Sequence, residues 1–288
     1  MKSGSTKVMA PRYFFEGNGS GWNRVRNGLI SYRSVVLFLD YDGTIVPIQP
    51  RPELAKLKSE TVDILQSILE SPNFFVCIVT GRSIENIRNL VKIDDVSFIG
   101  NHGFEIWHKG KHWIHPAANK SRLSLRRVAR ELKKVTEHID GIAIENKVFT
   151  VSIHFRNVAR RYEAHIKRAI TRVVGLNDAM FTTAAGKKVY EIRPNIDWDK
   201  GKGVMKWLHM SRLQKPLVIY VGDDRTDEDA FRAIGENGIT ISVGYRRKSL
   251  AQYYLRNDRG VLVFLEKMKS LKVRTAHNTD KARHPLVC

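Results

Sequence analysis

Ser34-Val35-Val36-Leu37-Phe38-Leu39-Asp40 is a continuous apolar run that ends in an acid, and Tyr41-Asp42-Gly43-Thr44 follows it directly. A strand covered on both faces reads this way, because neither set of alternate side chains meets water. Such a strand belongs at the centre of a parallel sheet. The same pattern recurs at Phe74 to Thr80, Val96 to Gly100, Leu217 to Gly222 and Thr240 to Val243. Helical spacing fills the gaps: Val62, Leu65, Ile68 and Leu69 within 59–69, then Ile84, Ile87, Leu90 and Val91, and later 201–210 and 227–235. Strand alternating with helix predicts right-handed crossovers and an α/β fold, a Rossmann-like doubly wound parallel sheet.

The middle of the chain changes character. Residues 105–117 and 148–156 carry shorter, alternating segments, and basic amphipathic helices are expected near 121–138 and 160–174. Alternation with one polar face suits an antiparallel sheet covered on one side, which predicts an α+β domain inserted into the first. The expected boundaries are an N-terminal extension over 1–33, a core at 34–107 and 194–269, and an inserted domain at 108–193. A disordered basic tail is expected over 270–288.

The 288 residues suffice for two modest domains that bury about 75 % of their unfolded surface without staples. Two cysteines, Cys77 and Cys288, cannot form a disulfide framework, and Cys77 lies in an apolar run. No apolar stretch is long enough for a membrane span, and Met1 to Ser20 lacks the apolar segment of a secretory signal. The expected location is cytoplasmic. Forty-nine basic against 29 acidic residues give a net charge of +20. That charge suits either a phosphate backbone or a small anionic substrate. It is spread along the chain, which favours a solvated surface, so nucleic acid is not the expected partner.

Chemistry concentrates where strands end. In an open α/β sheet, ligands bind beyond the carboxyl ends of the strands, and Asp40 stands there. Carboxylates at i and i+2 across a turn can divide the labour, one attacking phosphorus and one moving protons. Gly222-Asp223-Asp224-Arg225-Thr226-Asp227-Glu228-Asp229 follows another buried strand. Acids so crowded repel one another unless a cation compensates, and with Asp40 they make a hard-oxygen site suited to Mg²⁺. Asp223 is the expected ligand there, with Asp227, Glu228 and Asp229 serving the first turn of a helix. Thr80-Gly81-Arg82 ends the second strand, where a hydroxyl can donate to a phosphate oxygen. Lys200 at a helix start opposes the dipole and so calls for an anionic partner, with Lys202 as its rival.

These four elements in order, Asp40–Thr44, Thr80, Lys200 and Gly222–Asp229, resemble the four motifs of the haloacid-dehalogenase superfamily phosphatases. Further segments narrow the likeness. Asn101-His102-Gly103-Phe104-Glu105-Ile106, Glu145-Asn146-Lys147, His154-Phe155-Arg156, Gly186-Lys187-Lys188-Val189-Tyr190-Glu191-Ile192-Arg193-Pro194 and Trp198-Asp199-Lys200-Gly201 are similar to those of trehalose-6-phosphate phosphatases. The resemblance covers about residues 34–268. It implies a core that holds phosphate and a cap that holds sugar. Carried over by position, it implies Asp40 as nucleophile, Asp42 as general acid and base, and Thr80 and Lys200 on the phosphate. Asp40, the carbonyl of Asp42 and Asp223 would hold Mg²⁺. Arg82, the Asn101-His102-Gly103 turn, Glu145, Lys147, His154, Lys187 and Glu191 are the implied contacts to the disaccharide.

The expected function is therefore Mg²⁺-dependent hydrolysis of trehalose-6-phosphate, through an aspartyl-phosphate, in trehalose biosynthesis. The competing substrate readings are sucrose phosphate and glucosylglycerol phosphate, because a shared fold does not fix the sugar. A basic nucleic-acid-binding protein on a phosphatase-like fold is the non-enzymatic alternative, and the acids present at every catalytic position argue against it.

Overall fold

The computed structural model describes residues 10–17, 20–176, 179–186 and 188–281, with side chains through residue 271. Lys187 and the last part of the expected tail, residues 282–288, lie outside them. Strands β1 (Arg12–Tyr13), β2 (Val35–Asp40), β3 (Phe74–Val79), β4 (Ser97–Gly100), β5 (Glu105–His108) and β6 (Lys111–Ile114) come first in the chain. Then follow β7 (Ala143–Asn146), β8 (Val151–His154), β9 (Phe181–Gly186), β10 (Val189–Pro194), β11 (Leu217–Gly222), β12 (Ile239–Val243) and β13 (Tyr253–Leu255). The helices are α1 (Gly21–Ser31), α2 (Ser59–Leu69), α3 (Ile84–Leu90), α4 (Pro116–Thr136), α5 (Glu163–Gly175), α6 (Lys200–Ser211), α7 (Asp227–Ile234) and α8 (Asp258–Lys281). Among the described residues no helix is long and apolar enough to cross a membrane.

The chain divides into two compact units. One holds the residues up to Thr80, Ile84–His112 and everything from Asp199; the other holds Gly81–Ser83 and Trp113–Trp198. In the first unit the strands run in the order β1-β13-β12-β11-β2-β3-β4-β5-β6. β2 is buried along its whole length, and Leu37 faces Ile219 of β11 on one side and Val76 of β3 on the other. These pairings are parallel, as the apolar run predicts. From β2 the strand order proceeds through β3 and β4 in one direction and through β11 and β12 in the other. β2 and β11 therefore flank the point where the winding reverses, and Asp40 and Gly222 end those two strands.

Three expectations need correction. Within the expected N-terminal extension over 1–33, residues 10–17 and 20–33 belong to the first unit and carry β1 and α1. β1 pairs in parallel with β13, and Phe14 is fully buried, edge-on to Tyr253 and Phe264 at 5.7 and 5.4 Å. Ser20 caps α1 by accepting from the Asn23 N–H at 3.2 Å. Tyr13-Phe14-Phe15 is too short to show a period, so its aromatic burial was hidden from pattern reading. Second, β5 and β6 extend the large sheet past β4, with Gly100 opposite Glu105 in antiparallel register. Alternation identified them as strands but could not say which sheet they join. Third, the final helix is continuous to Lys281, past the boundary drawn at 269. Val261, Phe264, Leu265 and Met268 bury one stripe of it, and residues 269–281 contain no glycine or proline to stop propagation.

The second unit is an antiparallel sheet in the order β7-β8-β10-β9. Leu125, Val128 and Leu132 of α4 and Ile166, Ile170 and Val173 of α5 pack with Val151, Ile153 and Ile192 from one face of it. Strand alternation sends Glu145, Ser152 and Glu191, which are register partners, to the opposite face.

Candidate active site

Asp40 is 5 % exposed at the end of β2. The chain then turns sharply, with the Gly43 N–H donating to the Val46 carbonyl at 2.7 Å. Gly43 has a φ of 92°, and a Cβ there would collide with the Asp223 carboxylate. Glycine thus serves both the left-handed backbone and the close approach. Thr44 Oγ1 donates to Asp223 Oδ1 at 3.2 Å, which fastens the first acidic loop to the second.

Lys200 supplies the charge between them. Asp199 caps α6 by accepting from the Lys202 N–H at 2.8 Å, and that places Lys200 on the first turn, 3 % exposed. Its ammonium lies 2.7 Å from Asp40 Oδ1 and 2.7 Å from Asp227 Oδ1. These are the anionic partners that a lysine at a helix start requires. Lys202 is half-buried and its backbone belongs to the cap.

The sequence alone presents Asp227 as an acid in the first turn of a helix, which is α7. It is fully buried, and besides Lys200 it accepts from Tyr220 Oη at 2.8 Å and from the Asp224 N–H at 2.8 Å. A Cβ on Gly222 would strike its carboxylate, so glycine there lets the buried acid approach the strand end.

Asp40, Asp223 and Asp227 bring one oxygen each within 4.8 Å of one another. Three carboxylates thus share one ammonium. Burial raises the Asp40 carboxyl well above the usual range, and the Asp227 and Asp223 charges add to this against the pull of Lys200. Burial likewise pushes Asp223 up to about 6, aided by Asp227. Burial alone would lower Lys200, but the two carboxylates outweigh it and hold the ammonium charged. A cluster short of positive charge, made of hard oxygens, fits a divalent cation of the Mg²⁺ kind. Both Asp227 oxygens already accept hydrogen bonds, so Asp40 and Asp223 are the side chains suited to hold it.

Thr80 is buried beyond β3, its N–H tied to the Ile99 carbonyl at 2.9 Å. The Asn101–Gly103 turn sits beyond neighbouring β4, and the His102 N–H donates to the Thr80 carbonyl at 3.1 Å. Asn101 and His102 both have left-handed backbones, with φ of 47° and 54°. Each costs about 1–3 kcal/mol and persists only where the surroundings impose it. A Cβ on Gly203 of α6 would meet Gly103 Cα at 2.7 Å, so that helix packs closely on the turn. Asp42 is half-exposed beside Gly43 and shares no oxygen with the acid cluster.

In the second unit, Glu145, Lys147, His154 and Glu191 converge on the polar face of the sheet. His154 Nε2 lies 3.3 Å from Glu145 Oε2, and Lys147 Nζ lies 4.0 Å from Glu145 and 3.8 Å from Glu191. Ser152 Oγ donates to Glu191 Oε1 at 3.4 Å. Burial would raise Glu145, but the His154 hydrogen bond and the charges of Lys147, His154 and Arg82 outweigh it and hold the carboxyl low. Arg82 is buried and belongs to this unit.

A doubly wound sheet whose central strand ends in an aspartate paired with a buried lysine, beside a second acidic strand end, defines the phosphatases of the haloacid-dehalogenase fold. Residues 38–258 match the family described as Trehalose-phosphatase, and the chain belongs to that family. It is 31 % identical over 258 residues to trehalose-phosphate phosphatase B of Arabidopsis thaliana, covering 84 % of this chain and 68 % of that one. It is 35 % identical over 254 residues to the trehalose-phosphate phosphatase of Mycobacterium marinum, covering 85 % of this chain and 63 % of the relative, which is longer. Its fold is similar to a solved trehalose-6-phosphate phosphatase related protein, with a TM-score of 0.74 at 24 % identity over 83 % of this chain and 99 % of the other.

Proposed function

We propose that this chain is a Mg²⁺-dependent phosphatase that releases phosphate from trehalose-6-phosphate, with Asp40 as nucleophile. The observation that carries the reading is Asp40 itself, at the switch point of the sheet and 2.7 Å from the Lys200 ammonium. A carboxylate oxygen of Asp40 attacks phosphorus and the bond to the sugar oxygen breaks, which leaves an aspartyl-phosphate. Asp42 donates a proton to the departing oxygen, then accepts one from the water that cleaves the intermediate. Lys200 offsets charge on the transferring phosphoryl group, and the Thr80 hydroxyl donates to one of its oxygens. Asp40, the Asp42 carbonyl and Asp223 would hold Mg²⁺, which when bound neutralises phosphate oxygens so that an anion can approach a carboxylate. Glu145, Lys147, His154 and Glu191 alternate donors with acceptors, as sugar hydroxyls require. The Asn101–Gly103 turn and Arg82 complete the sugar contacts.

The test is phosphate release from trehalose-6-phosphate with Mg²⁺, beside EDTA and beside sucrose phosphate, glucosylglycerol phosphate and glucose-6-phosphate. Preference for trehalose-6-phosphate that chelation abolishes is expected. Preference for another sugar would overturn the substrate, and release unaffected by chelation would overturn the metal.

A further inference from the structure

Glu105 begins β5, ahead of Ile106 and Trp107, and is 4 % exposed, yet no catalytic step uses it. Its carboxylate gathers donors from three separate elements. Oε1 accepts from the Ile84 N–H at the start of α3 at 2.9 Å and from the Asn101 side-chain amide at 2.5 Å. Oε2 lies 3.1 Å from His112 Nε2 of β6.

Asn101 is fully buried, so its amide depends on protein acceptors. It is also the first of two successive residues with left-handed backbones, a conformation that needs an anchor. Glu105 supplies an anchor for its side chain, beside the bond from the His102 N–H to the Thr80 carbonyl. Thr80 also keeps a ladder bond from its N–H to the Ile99 carbonyl that Glu105 does not touch. Losing Glu105 therefore frees the Asn101 side chain, while the Thr80 ladder bond to Ile99 and the Asp40–Lys200 pair, in which Glu105 takes no part, remain.

We propose that Glu105 is a positioning residue for substrate, holding the Asn101–Gly103 turn in the shape that meets the sugar of the phosphate ester. This rests on the assignment of that turn to the sugar. The loss from removing Glu105 is thus selective for substrates that carry a sugar, whereas a purely structural anchor lowers all activity in proportion to the folded fraction.

The experiment compares Glu105→Ala and Glu105→Gln with the native chain on trehalose-6-phosphate and on p-nitrophenyl phosphate, which has no sugar. For Glu105→Ala, KM for the sugar phosphate is expected to rise about tenfold or more, with kcat/KM for p-nitrophenyl phosphate changing less than about threefold. Glu105→Gln keeps the accepting oxygen and is expected to restore KM to within about threefold. Equal losses on both substrates would overturn the proposal. If Glu105→Ala does not fold, Glu105→Asp, which keeps the charge but shortens the reach to Asn101, takes its place, and the same selective rise in KM is required of it. Absence of trehalose-6-phosphate hydrolysis by the native chain would instead be a failure of the substrate reading, visible before any variant is made.

Discussion

Lys200 and Asp40 meet at 2.7 Å with both side chains closed off from solvent, although 160 residues separate them. One comes from a helix start and the other from the end of the central strand. Because Asp227 takes a second hydrogen bond from the same ammonium, the lysine is fixed from two directions. A charge fixed in advance can oppose a developing charge without reorganising, which is the main electrostatic resource of such a site.

Asp40→Asn keeps the shape of the side chain and removes its nucleophilic charge. Turnover should fall by about a thousandfold or more. Thermal stability should hold or rise, since one of three under-compensated acids is gone. Steady-state kinetics beside a melting curve check both parts.

Lys200→Ala strands Asp40 and Asp227 as buried acids without a cation. A loss of about 3–5 kcal/mol is expected in urea unfolding, together with activity. Lys202→Ala should cost less than about 1 kcal/mol.

Gly43→Ala places a methyl group against the Asp223 carboxylate at a φ of 92°. Displacing that carboxylate should weaken Mg²⁺ activation by about 10–100-fold, read from the Mg²⁺ dependence of initial rates. An unchanged activation constant would remove Asp223 from the metal.

The Asp223 shift makes metal-free stability depend on pH. Its carboxyl titrates near 6 in the fold against an ordinary 3.8, so the native state keeps a proton that the unfolded chain has released. The stability it contributes is present below about 4 and is lost as pH rises through 6. Melting curves in EDTA across that window should show this decline, and Asp223→Asn should lack that component. Mg²⁺ must displace the same proton, so its apparent affinity should fall as pH drops below 6.

Much of this was legible in the sequence because burial on both faces writes an unbroken apolar run. Val35–Asp40, Phe74–Val79 and Leu217–Gly222 are such runs, and each is a strand where the run predicts one. Asp40, Thr80 and Asp223 could be singled out because strand ends are where an α/β sheet binds ligands. What stayed hidden depends on partners distant in sequence. Nothing local distinguishes Asp227 from Glu228 or Asp229, yet it alone among them bonds Lys200 and Tyr220. Glu105 looks like one more acid at the start of a short strand until Ile84, Asn101 and His112 are brought around it. Phe14 finds its cover in Tyr253 and Phe264, contacts that no period within the chain could announce.

Phosphate transfer through Asp40 leaves a covalent trace on the chain. Acid quenching of the enzyme during turnover of phosphate-labelled trehalose-6-phosphate with Mg²⁺, followed by peptide mapping, tests it directly. The expected result is label on the peptide that carries Asp40, absent in Asp40→Asn. Steady phosphate release by Asp40→Asn, or label on a different residue, would contradict it.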